Sequence, residues 1–227
     1  MVSRQDPPIT RTATATPSAR AALLAAAAAV FLIGLWPTWW LRDTVLRAAG
    51  FPAYAGLWKF LPHLLLYSTL PALAAGIAWI AFARAGVLDA PPFGKGQRPL
   101  GKILVAALAA IALVLGVLVA TGQGSAIRWI EPDPWSLAGN VFSNFYEEFI
   151  FRGFLLAALA AVIRFWPAAV VTSASWAATH TQYPFSLQLT IFATGLLLAW
   201  VVRSARTIWA PYGAHMIMDV VLDSLVG

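Results

Sequence analysis

Apolar segments long enough to cross a membrane recur along this chain, and they constrain its fold more than any other feature. A spanning helix needs about 20 mostly apolar residues, and seven segments reach or approach that length. They cover residues 21–41, 60–82, 103–121, 137–163, 168–181, 187–202 and 208–226. The chain is 60% hydrophobic and only 11% charged, whereas soluble domains carry about a quarter charged residues. We therefore predict an all-α, polytopic transmembrane bundle of about seven helices, within a range of six to eight.

A tail rich in Ser, Thr, Pro and Arg precedes the first apolar segment. This tail, residues 1–20, has too little apolar content to fold and is predicted to be disordered. Residues 21–227 are predicted to form a single transmembrane domain, with the polar motifs described below at about 136–226. The first segment is too long for a signal peptide and ends in Pro37-Thr38-Trp39-Trp40 rather than in a cleavage site. We expect it to remain as the first spanning helix.

The basic residues between the apolar segments predict the orientation in the membrane. With seven helices and the N-terminus inside, the inner segments hold ten Lys and Arg residues and the outer segments hold four, which favours a cytoplasmic N-terminus. The net charge of +6 is spread singly along the chain, so the lipid bilayer is an expected partner and nucleic acid is not. The absence of Cys excludes disulfides, thiolate metal sites and a Cys nucleophile.

Three charged residues lie in the middle of the fourth apolar segment. Placing one charge at the centre of a bilayer costs about 2.5–3.5 kcal/mol, so Glu147, Glu148 and Arg152 need partners or water. Glu148 and Arg152 are four residues apart and share a helix face, which predicts an ion pair. Glu147 lies about 100° away around the helix and points elsewhere. Asn140 and Asn144 extend the polar stripe, and the simplest alternative is a buried ion pair that only fixes helix packing.

Two further segments bring histidine and aspartate to membrane depth. His180 closes the fifth segment, four residues after Trp176, and His215 shares a face of the seventh segment with Asp219. Taken separately, each could be a local hydrogen bond between helices. Together with the two glutamates, they are best accommodated around one hydrated site, and a free carboxylate beside two imidazoles forms a general acid–base centre.

The three motifs resemble those of a family of membrane proteases. Glu147-Glu148-Phe-Ile-Phe-Arg152 matches the EExxxR motif of the CAAX-protease and bacteriocin-processing family, which is also called the abortive-infection family. Trp176-Ala-Ala-Thr-His180 is similar to its FxxxH motif, and His215-Met-Ile-Met-Asp219 to its HxxxN/D motif. The resemblance covers about residues 140–219 and implies an intramembrane endopeptidase that cleaves a membrane-associated protein or peptide near its C-terminus.

The resemblance also implies roles for the motif residues. Glu147 and His180 would activate a water molecule, while His215 and Asp219 would stabilise the oxyanion or position the substrate. Glu148 and Arg152 would form the supporting ion pair, and Trp176 and Asn144 would line the substrate pocket. In the eukaryotic CAAX enzymes the last motif position is Asn, and Asp219 cannot donate a hydrogen bond as Asn does unless it is protonated. We expect Asp219 to orient His215 instead.

The sequence alone does not decide whether the protein binds a metal ion, and it leaves two other functions as alternatives. Glu147, His180 and His215 could bind a catalytic zinc ion, as in metalloproteases, although metal-free glutamate catalysis is the preferred mechanism. A non-catalytic membrane immunity or partner protein could keep the same motifs, and a proton-coupled transporter also uses buried Glu, Arg and His. The Ala-rich first helix and the lack of Cys favour a bacterial cytoplasmic membrane.

Overall fold

The computed structural model describes residues 16–35, 69–89, 93, 100–131, 133–180 and 183–226. Within these ranges the regular structure is helical, apart from one isolated β-bridge between Ile127 and Val226. The α-helices are α1 (Pro17–Ala29), α2 (Thr69–Arg84), α3 (Leu100–Ala120), α4 (Pro134–Glu147), α5 (Leu156–Ile163), α6 (Phe165–Ala178), α7 (Phe185–Ala205) and α8 (Trp209–Leu225). Two π-helical segments, Val30–Leu35 and Glu148–Leu155, and a short 3₁₀ turn, Gly124–Ala126, complete the described elements.

Joined end to end where they follow one another directly, the eight described α-helices and two π-helical segments make seven continuous helices. Each of these corresponds to one predicted apolar segment. The first π-helical segment extends α1, and the second joins α4 to α5, so that one helix runs from residue 134 to residue 163. The predicted all-α fold is therefore confirmed. Residues 36–41 and 60–68 of the predicted segments lie outside the described residues, as do residues 1–15 of the predicted disordered tail.

Helix starts follow ordinary capping chemistry. Thr16 caps α1 by accepting a hydrogen bond from the backbone N–H of Ala19 at 3.2 Å, and Pro17 occupies the first turn, where it needs no N–H donor. The helix thus begins at Pro17, four residues before the predicted start of the first apolar segment at residue 21. Asp133 caps α4 in the same way, with Pro134 following it.

Some of the helices are suited to a membrane by length and by surface. Two of those described, α3 and α7, are 21 residues long and apolar enough to cross a bilayer. Large apolar side chains such as Ile77, Val105 and Leu108 are exposed on α2 and α3, where lipid would cover them. The most extensive packing joins α6 to α7 and α3 to both α7 and α8.

Two helix contacts position the polar residues. The helix α4 packs along α8, which brings the first and third motifs together. At the contact of α7 with α6, a Cβ atom added to Gly195 would lie 2.7 Å from Cβ of Ser173 and 3.2 Å from an Nη atom of Arg152. Because a Cβ atom essentially never lies within 3.0 Å of another heavy atom, only glycine permits this approach to Ser173.

Candidate active site

Trp176 lies at the centre of the predicted site and contacts residues of all three motifs. Its indole N–H donates a hydrogen bond to Glu147 Oε2 at 2.6 Å, and the guanidinium of Arg152 lies 4.0 Å from its ring centroid. The imidazoles of His180 and His215 pack edge-on against the same indole, with centroid separations of 5.2 and 5.3 Å. The motifs are thus brought together around one buried aromatic side chain.

The two adjacent glutamates have different surroundings, as their angular separation on a helix predicts. Glu147 is half-buried and faces α6, where Trp176 holds it. Glu148 is fully buried, and its Oε1 lies 3.2 Å from Arg152 Nη1 and 2.9 Å from His215 Nδ1. The predicted Glu148–Arg152 pair is confirmed, and Glu148 also connects the first motif to the third.

His215 is enclosed by carboxylates on both sides. Its Nδ1 faces Glu148, and its Nε2 lies 3.6 Å from Asp219 Oδ2. A carboxylate oxygen accepts hydrogen bonds, so a doubly protonated imidazole would donate to Glu148, while its second N–H would face Asp219 at a distance too long for a hydrogen bond. Among the described residues, Glu148 and Asp219 form the ion pairs of this cluster, whereas Glu147 is held by the neutral indole N–H of Trp176.

Asp219 is held from a second direction by Asn144. The Asn144 amide donates to Asp219 Oδ2 at 2.9 Å and lies 3.4 Å from Met216 Sδ. Asn144 and Trp176 are both almost fully buried among the other side chains of the site. Their assignment to the substrate pocket stays a prediction, and what they contact is the cluster of motif side chains itself.

The orientation of His180 is fixed by the backbone of its own helix. Its Nδ1 lies 2.9 Å from the carbonyl oxygen of Trp176. A carbonyl only accepts, so Nδ1 carries the proton and the neutral ring has its lone pair on Nε2. The ring also stacks on Tyr183, with centroids 6.3 Å apart. His180 thus presents a nitrogen that can accept a proton from water.

Several features of the site were not predicted from the sequence. The second glutamate begins a π-helical segment that contains the rest of the first motif, Glu148–Leu155, and π-helical turns often occur at functional sites. The Glu148–His215 contact and the hydrogen bond of Trp176 to Glu147 depend on how three helices pack. Asp223, which accepts from Asn140 Nδ2 at 2.9 Å, could have been found from its spacing of four residues after Asp219.

The zinc set that the motifs left open does not fit this arrangement. Both nitrogens of His215 face carboxylates, and Glu147 Oε2 already accepts the Trp176 indole N–H. Within the described ranges, no three His, Asp or Glu side chains are grouped as metal ligands. A zinc ion at Glu147, His180 and His215 would require these contacts to be exchanged.

The comparison with known families agrees with the motifs. Residues 129–221 match the family model described as type II CAAX prenyl endopeptidase, Rce1-like. This part of the chain is Rce1-like. The match contains all three motifs and confirms the family predicted from them. No curated protein and no solved structure gives a significant match.

The Rce1-like match also bears on the general class of the matched region. This family consists of membrane-embedded endopeptidases, and two described helices of this chain are able to span a membrane. Residues 129–221 are therefore similar to membrane proteases. The matched region includes α4 to α7 and most of α8, which are the helices that carry the site.

Proposed function

We propose that this chain is an intramembrane endopeptidase in which Glu147, assisted by His180, activates water to hydrolyse a peptide bond. The substrate is a membrane-associated protein or peptide, cut near its C-terminus. The observation that carries the proposal is the separation of the two adjacent glutamates. Glu148 is committed to Arg152 and His215, whereas Glu147 is half-buried and has a neutral hydrogen-bond donor for its partner.

The chemistry follows from these contacts. Glu147 takes a proton from water as the water oxygen attacks the scissile carbonyl carbon, and Nε2 of His180 is placed to share that proton. The carbon–nitrogen bond then breaks, the proton passes to the leaving amine nitrogen, and the products are a carboxylic acid and an amine. General acid–base help of this kind contributes about 10²–10⁴-fold to the rate.

The third motif supports the developing negative charge. In the proposed mechanism His215 donates from Nε2 to the oxyanion, which requires its loose 3.6 Å contact with Asp219 to lengthen further. Glu148 keeps the ring in place through Nδ1, and the carboxylate of Asp219 stays beside the opposite edge of the ring. The Glu148–Arg152 pair lies behind this arrangement and supports it without touching the substrate.

The choice of substrate follows from where the site lies. Glu147 is about 20 Å along the helix axis from Pro134, where α4 begins, which places the base well inside the membrane domain. Such a site is suited to segments that are already in or at the bilayer. We propose a bacterial cytoplasmic membrane as the location, with the N-terminus on the cytoplasmic side.

The test compares protein termini in membranes of the native host that express the wild type, Glu147→Gln or Glu131→Gln. Gln keeps the size of the side chain and removes the base, and the exposed Glu131 provides a matched control outside the site. We expect specific new termini with the wild type and Glu131→Gln, and their loss with Glu147→Gln. Identical termini in all three strains, with equal amounts of inserted protein, would favour the immunity-protein or transporter function instead.

A further inference from the structure

A stripe of polar side chains on α4 leads from the start of the helix to Glu147. Ser136, Asn140 and Ser143 precede Glu147 at spacings of four, three and four residues, which places all four on one helix face. Each of them is half-buried. The neighbouring Val141 is apolar and 43% exposed, as expected of a residue that faces lipid.

Two aspartates of α8 line the other side of this stripe. Asp223 Oδ2 accepts hydrogen bonds from Asn140 Nδ2 at 2.9 Å and from Ser136 Oγ at 3.3 Å. Asp219 accepts from Asn144 and is 23% exposed. Among the described residues, no cation pairs with Asp223. A carboxylate without a cation is costly in a membrane protein unless water reaches it.

Aromatic side chains close the opposite flank of the contact between α4 and α8. Phe145 stacks on Trp209 with centroids 5.6 Å apart and meets Tyr212 edge-on at 6.1 Å. The Tyr212 hydroxyl donates to the backbone carbonyl of Val141 at 3.1 Å. Aromatic side chains therefore line the Phe145 side of the contact, whereas half-buried polar side chains line the Glu147 side.

We propose that this polar groove, formed by Ser136, Asn140, Ser143, Glu147, Asp219 and Asp223, is the route by which water reaches Glu147. The inference rests on the proposed hydrolysis, which consumes one water molecule for each bond cut. From Ser136 to Glu147 the groove is about 16 Å long at the rise of an α-helix. Its hydroxyl, amide and carboxylate groups can hold water along this distance, as an apolar helix face cannot.

The absence of Cys allows the groove to be tested with single cysteines. Asn140→Cys and Ser143→Cys would be treated with the membrane-impermeant cationic thiol reagent MTSET, which reacts with the thiolate and so needs water. Val141→Cys is the control at the same depth on the lipid-facing side. Trp129→Cys, 75% exposed in the connection between α3 and α4, reports whether the reagent reaches the side of the membrane where α4 begins.

We expect the two groove cysteines to react at least tenfold faster than Val141→Cys. Reaction at Ser143→Cys should also abolish hydrolysis, because the added group fills the groove one turn from Glu147. Groove cysteines that react no faster than Val141→Cys while Trp129→Cys is labelled would overturn the proposal, as would full activity after labelling at Ser143→Cys. Rapid groove labelling in a chain whose wild type hydrolyses nothing would instead contradict the proposed function.

Discussion

The indole nitrogen of Trp176 donates a hydrogen bond to the carboxylate of Glu147 across 2.6 Å. The same ring lies beneath the Arg152 guanidinium at 4.0 Å. One side chain therefore orients the proposed base and packs against the ion pair behind it. Phenylalanine, which occupies this position in the FxxxH motif, provides the ring but not the donor.

Replacing Trp176 by Phe should separate these two roles. The variant keeps an aromatic surface for Arg152 and removes the donor to Glu147. A hydrogen bond to a charged group contributes about 1.5–3 kcal/mol, so we expect kcat to fall by about tenfold or more with little change in KM. Steady-state kinetics on a cleaved peptide would measure this. A large rise in KM with unchanged kcat would show that Trp176 binds substrate instead of orienting Glu147.

The Glu148–Arg152 pair should show strong coupling in unfolding experiments. Both side chains are buried, and removing one partner of a buried pair costs about 3–5 kcal/mol because the other charge is left unpaired. We expect Arg152→Met to lower the unfolding temperature in detergent more than the double variant Glu148→Gln/Arg152→Met does. The exposed Arg84 offers a control, since Arg84→Met should change stability by less than about 0.5 kcal/mol. If the effects of Glu148→Gln and Arg152→Met on the unfolding temperature simply added in the double variant, the two residues would not be coupled.

The length and position of the helices were predictable because each apolar segment must satisfy its own backbone hydrogen bonds in lipid. The ion pair of Glu148 and Arg152 was predictable for a similar reason, since residues four apart meet on any helix. The start of α1 was not predictable, because capping by Thr16 and Pro17 extends the helix into a polar stretch. Local chemistry of this kind is not visible in an average of hydropathy.

The contacts between motifs could not be derived from spacing. Glu148 and His215 are 67 residues apart, and their meeting depends on how α8 packs against the helix that carries the first motif. The π-helical segment Glu148–Leu155 has no clear signal in the residues that form it. The approach of Gly195 to Ser173 and Arg152 likewise depends on the packing of α7 against α6.

Asp219→Asn should be tolerated better than Asp219→Leu. Asn keeps an oxygen that can accept the hydrogen bond from the Asn144 amide, which in the wild type donates to Asp219 Oδ2 at 2.9 Å. The substitution removes the negative charge that lies 3.6 Å from His215 Nε2. We expect activity within about tenfold of the wild type for Asp219→Asn, consistent with an effect of roughly 1–1.5 kcal/mol, and a much larger loss for Asp219→Leu. Equal losses in both variants would mean that the charge itself is required.

Chelation should leave the proposed activity intact. In the described arrangement Glu147 and His215 are already engaged by Trp176, Glu148 and Asp219. We expect EDTA and 1,10-phenanthroline to change the cleavage rate by less than twofold in purified protein. Loss of cleavage that is restored by added zinc would show that these side chains exchange their contacts for a metal ion.

Gly195→Ala should disturb the site from outside it. The new Cβ would lie 2.7 and 2.8 Å from Cβ and Oγ of Ser173 and 3.2 Å from Arg152, and overpacking of this kind costs about 1–3 kcal/mol. We expect a lower unfolding temperature and reduced kcat, because Arg152 must shift. Gly116→Ala on α3 is the matched control, since no atom lies within 4 Å of its new Cβ and alanine favours a helix.

A second substitution identifies the cause of the Gly195→Ala effect. Ser173→Gly removes both of the closest atoms, so Ser173→Gly/Gly195→Ala should recover most of the lost stability. Arg152 would remain within 3.2 Å of the added Cβ, so kcat should recover less completely than the unfolding temperature. A double variant as unstable as Gly195→Ala would mean that another contact of α7 is responsible. Recovery of stability without recovery of kcat would locate the catalytic effect at Arg152, in the ion pair behind His215.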